Sequence, residues 1–91
     1  SQVSETVAAV QQQLEVLAIE SIEITASSAA PGTTIREGEY RTRTGASIVA
    51  VIRGDDSVPA PAPEFTLAAG DVVVAVGTVA GLAGLRKLLA S

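Results

Sequence analysis

Residues 41–53 read Arg-Thr-Arg-Thr-Gly-Ala-Ser-Ile-Val-Ala-Val-Ile-Arg. A short basic and polar run ends at Gly45, and Ala46 to Ile52 is then apolar apart from Ser47. An apolar run of this length, closed by Gly54-Asp55-Asp56, predicts a strand buried on both faces. The Gly-Asp pair predicts a hairpin, with a short return strand beginning at Ser57-Val58. Downstream, Val72 to Val76 follows the turn Ala69-Gly70-Asp71 and predicts a second buried strand. Upstream, Ile19 to Thr25 alternates apolar and polar residues, the pattern of a half-buried strand.

The segments between these strands fall into distinct classes. Ser4 to Leu17 carries Val3, Val7, Val10, Leu14 and Leu17 at spacings of three and four, with Gln11 to Gln13 on the polar side. That stripe predicts an amphipathic helix with Ser4 as its cap. Thr34 to Thr44 is charged and irregular and holds at most a short helical turn. Pro59, Pro61 and Pro63 alternate with alanines, so every second backbone donor is missing and the segment belongs at a sheet edge. Phe65 and Leu67 anchor its far end. After Gly77, Thr78 caps a final helix whose Val79, Leu82, Leu85 and Leu89 line one face. Gly81 and Gly84 weaken this helix unless something packs closely against them. The succession of strands and helices predicts an α+β sandwich with a mixed sheet.

Composition narrows the function. Ninety-one residues make one domain, and 47% hydrophobic content with only Tyr40 and Phe65 as aromatics means an aliphatic core. The net charge of −4 argues against a nucleic-acid partner, which requires clustered positive charge. The chain has no Cys and no His, which removes thiol chemistry, Ser-His-Asp triads and ordinary zinc sites. No metal site, no cofactor and no catalytic constellation is expected, and the protein reads as a non-enzyme. Asp55 and Asp56 are turn residues. With no transmembrane-length apolar run and no signal-peptide pattern at the N-terminus, the expected location is cytoplasmic.

One constellation has two readings. Arg41 and Arg43 precede Gly45-Ala46-Ser47, and the Pro-Ala-Pro-Ala-Pro run follows one hairpin later. Side by side, these segments make a shallow apolar wall with a guanidinium at its rim, suited to a small phosphorylated ligand. Alternatively, the arginines solvate a turn and the prolines protect an edge strand.

The whole stretch Arg41 to Arg53 resembles the RCK-C (TrkA-C) family. Leu67-Ala-Ala-Gly-Asp-Val-Val-Val-Ala-Val-Gly-Thr78 is similar to the family's second motif, at the expected separation, and the resemblance covers residues 19–90. The loop from Ser28 to Ile35 departs from it, being shorter than is usual there. The periodic stripe assigns residues 1–18 to an N-terminal helix, and the resemblance implies a βαββ(β)α ligand-binding domain over residues 19–91 that pairs as a two-fold homodimer. It implies a regulatory partner of a membrane cation/proton antiporter or potassium transporter, with cyclic di-AMP bound at the dimer interface. By position, the ligand residues would be Arg41, Arg43, Ala46, Ser47, Ile48, Val58, Pro59, Ala60 and Pro61. The alternative from a different class is a dimerisation module that gates a transporter without a ligand.

Overall fold

The apolar run behind Gly45 is a strand, and the rest of the sheet assembles around it. The computed structural model describes residues 4–7 and 17–91. In chain order the elements are β1 (Leu17–Glu23), α1 (Ile35–Gly38), α2 (Tyr40–Thr44), β2 (Ser47–Arg53), β3 (Asp56–Pro59), β4 (Val72–Thr78) and α3 (Val79–Ala90). Residues 4–7 are helical, and the remainder of the expected N-terminal helix lies outside the described residues except for Leu17 and Ala18, which belong to β1.

The four strands lie in the order β1-β4-β2-β3. Every pairing is antiparallel, which corrects the expected mixed sheet. The reason is topological. Strands β1 and β2 run in the same direction, as a strand–helix–strand unit would, but β4 returns from the hairpin and inserts between them. It therefore pairs antiparallel with both. The β2–β3 hairpin turns through Gly54 and Asp55, with Gly54 at φ 59°. A positive φ at the first central position is the demand of a II′ turn.

All helical packing falls on one face of the sheet. Ile22, Val51, Val73 and Ala75 are buried there beneath Leu82, Leu85 and Leu89 of α3. Thr78 caps α3 by accepting the Gly81 N–H, as its position predicts. Val79 turns outward and is 70% exposed, so the buried stripe runs through Gly81 and Leu82 instead.

Among the described residues, no helix covers the opposite face. Val72, Val74 and Val76 are half-buried, and Ile19, opposite Val76, is 70% exposed. Consequently β2 is not buried on both faces as its composition suggests. Val51 alone is fully enclosed, while Val49 sits at a bulge between Ile48 and Ala50 and is 41% exposed.

Asp71 is the one buried charged residue among the described residues, at 1% exposure. Both its oxygens accept from Arg53, at 2.8 Å each, and Oδ2 also accepts the Ala68 N–H. Arg53 in turn donates to the Thr66 carbonyl and lies 5.0 Å over the Phe65 ring. The Gly70-Asp71 turn thus ties the hairpin end of β2 to the return segment before β4.

Candidate functional site

The charged stretch before β2 folds as two short helices rather than one turn. Thr34 and Glu37 form a reciprocal capping box that starts α1. Glu39 then adopts a left-handed conformation at φ 47°, which breaks the helix axis and starts α2 in a new direction. The Tyr40 ring folds back over Gly38, where a Cβ would lie 2.2 Å from it. Gly38 is therefore required for Tyr40 to be buried. Burial pushes the Tyr40 phenol above its usual pKa, so it stays neutral.

Between α1, α2 and the start of β2 lies an open cavity of about 480 Å³. Ile35, Tyr40, Ile48 and Pro63 supply apolar surface, Arg36 and Arg41 supply positive charge beside the Glu39 carboxylate, and Thr42 and Ser47 supply hydroxyls. Strand β3 pairs only with Ala50 to Arg53, so the edge of β2 at Ser47 and Ile48 has no strand neighbour on that side. Three backbone hydrogen bonds fix the far wall: Ile35 N–H to the Phe65 carbonyl and Leu67 N–H to the Thr33 carbonyl, which together make the bridge between Thr34 and Thr66, and Arg36 N–H to the Pro63 carbonyl. Arg41 is exposed and makes no side-chain hydrogen bond or ion pair among the described residues.

Of the residues expected at a ligand, the fold brings Arg41, Ser47 and Ile48 to this cavity. Arg43 points away from it. Its guanidinium lies 3.4 Å from the Gly38 carbonyl and lines a smaller hollow behind Tyr40, because helical positions two apart diverge by about 200°. Ala46 is fully buried against Gly77 in the core. Val58 and Pro59 pair with Val51 and Ala50 at the outer edge of the sheet, so they do not reach the cavity. Ala60 turns at φ 45° and donates to the Val49 carbonyl, which carries the chain past the sheet edge before Pro61. The proline at the cavity is Pro63, two residues later than expected. Ile35 and Tyr40 were not anticipated, whereas Arg36 belongs to the Arg36, Arg41 and Arg43 cluster whose charge suits a small anion. The Thr34-x-x-Glu37 capping signature was the available signal for a helix start that places Ile35 and Arg36 together.

Apolar surface beside the Arg41 guanidinium gives this small α+β domain a cavity of the kind that holds a small ligand. The chain belongs to the TrkA-C domain family, whose model matches residues 19–90. A potassium channel protein of Methanocaldococcus jannaschii is 34% identical over 53 residues, which cover 58% of this chain and 16% of that relative. The chain thus spans a small part of the curated relative it matches.

Among solved structures, the RCK_C domain dimer of Streptococcus agalactiae BusR in complex with cyclic di-AMP superposes with a TM-score of 0.73 at 27% identity, over 80% of this chain and 90% of that one. The RCK C domain of the potassium transport protein KtrA, also in complex with cyclic di-AMP, shares the fold at 24% identity and a TM-score of 0.73, over 92% of this chain and 96% of that one. BusR has also been solved with its promoter DNA, and this chain covers 52% of that longer protein at 22% identity and a TM-score of 0.73. A protein containing the same fold thus binds DNA, and the acidic charge of this domain does not by itself support the expectation of no nucleic-acid partner. Among the described residues, no helix is long and apolar enough to cross a membrane.

Proposed function

We propose that this domain binds cyclic di-AMP at a two-fold dimer interface and thereby controls a membrane cation/proton antiporter or potassium transporter from the cytoplasmic side. The observation that carries this reading is Arg41, a guanidinium with no carboxylate partner among the described residues, set beside the apolar surfaces of Ile35, Ile48 and Pro63. A free guanidinium suits a phosphate, and flat aliphatic and proline surfaces suit a purine. Cyclic di-AMP has two identical halves, so two copies of the cavity related by a two-fold axis match it with identical contacts. The cavity is open on one side, as half of a shared site would be. The cyclic di-AMP complex of the BusR RCK_C domain, 27% identical to this chain, supports the choice of ligand.

The direct test is Arg41→Ala. Charge-assisted contacts are worth about 1.5–3 kcal/mol, so cyclic di-AMP affinity should fall by about ten- to a hundred-fold with the thermal midpoint unchanged. Equal affinity in the variant would remove the cavity as the site. Concentration-dependent dimers that ignore the nucleotide would support the ligand-independent gating module instead.

A further inference from the structure

Two arginines line the cavity, and among the described residues Arg41 has no ion-pair partner while Arg36 has one. The Arg36 guanidinium donates to Glu64 Oε1 at 2.7 Å. Glu64 follows Pro63, so the ion pair spans the cavity wall from α1 to the return segment. Both side chains are 69% exposed. An exposed pair of this kind contributes little to stability and is readily exchanged. The backbone beneath it does not depend on it, because Arg36 N–H already holds the Pro63 carbonyl at 2.8 Å and Ile35 N–H holds the Phe65 carbonyl at 3.1 Å. Glu64 therefore occupies Arg36 without being needed to position α1.

We infer that Glu64 is an internal competitor for the ligand. It holds Arg36 in the empty site and yields it to a phosphate group when an anionic ligand enters, which makes Arg36 a second phosphate-binding residue beside Arg41. The inference rests on the proposed ligand reading and adds to it a residue pair that tunes affinity. The exchange transfers one guanidinium from a carboxylate to a phosphate, and Glu64 returns to solvent. Neither residue lies in the core, so substitutions at both leave the fold intact.

The experiment is calorimetric titration of cyclic di-AMP into the wild-type domain, Glu64→Gln, Arg36→Ala and the double variant. Removing the competing charge should tighten binding about two- to five-fold, the scale of an exposed ion pair given up. Arg36→Ala should weaken it at least ten-fold, and Glu64→Gln should have no effect once Arg36 is gone. Wild-type binding that is unchanged or weakened by Glu64→Gln would overturn the competitor role while leaving the ligand reading standing. A tightening that persists in the Arg36→Ala background would also overturn it, since Glu64 would then act by general repulsion. No binding by the wild-type domain would remove the ligand reading and this inference together.

Discussion

At the scale of single residues, Asp71 and Arg41 make opposite use of charge. Asp71 is enclosed and fully partnered, and its hydrogen bonds from Arg53, opposed by burial and reinforced by Ala68 N–H, hold its carboxyl below the ordinary value. A depressed carboxyl pKa contributes stability that is present above the unfolded value near 3.9 and is lost as pH falls through the folded one. Urea midpoints measured from pH 6 to pH 3 should therefore fall steeply in the wild type. In Asp71→Asn they should start lower, by about 1–3 kcal/mol for polar groups left without their partner, and fall less. A residual slope remains because Glu37 and Glu64 are also held below their usual values, Glu37 by hydrogen bonds from Thr34 and Glu64 by its own backbone N–H and the Arg36 guanidinium. Equal slopes in the two proteins would contradict the role given to Asp71. Sequence reading found this residue but took Gly70-Asp71 for a turn alone. The signal it lacked was Arg53, eighteen positions away, and only the pairing of β2 with β4 brings the two together.

At the scale of elements, the two glycines of α3 separate. A Cβ at Gly81 would sit 2.8 Å from the Thr44 carbonyl at the end of α2, whereas one at Gly84 would sit 3.4 Å from the Thr44 methyl, an ordinary contact. Gly84→Ala should raise stability by about 0.5–1 kcal/mol through helix propensity. Gly81→Ala should lower it, because backbone must move, and thermal melts of the two variants should shift in opposite directions. Melts that shift together would mean the close approach of α2 to α3 is not what the glycine serves. Elements of seven residues or more were legible because their periodicity exceeds local noise: Leu82, Leu85 and Leu89 mark α3, and Val73 and Ala75 mark the core side of β4. The pair α1 and α2 was not, since four or five residues hold about one helical turn, too few for a period to show. The exposed face of β2 was misjudged for a related reason. Composition reports that a face is apolar, but not whether a helix is supplied to cover it.

For the whole molecule, the insertion of β4 between β1 and β2 decides where the site forms. It confines the hairpin to one edge, sends the proline segment around that edge, and sets Pro63 rather than Val58 to Pro61 opposite Arg41, Ser47 and Ile48. Strand order depends on long-range pairing that no local pattern encodes, so the residues drawn from the Arg41–Arg53 stretch fell at the cavity more often than those placed beyond the hairpin. A ligand held between two copies stabilises the dimer by mass action. Sedimentation at low micromolar protein should therefore show more dimer with cyclic di-AMP than without, and an unchanged distribution would place the ligand within one chain. The central claim is the shared, ligand-selective cavity, and calorimetric titration with cyclic di-AMP, alongside cyclic di-GMP and ATP, tests it most directly. Selective binding at one ligand per two chains is the predicted result. Binding at one ligand per chain, equal binding of all three nucleotides, or no binding would contradict it.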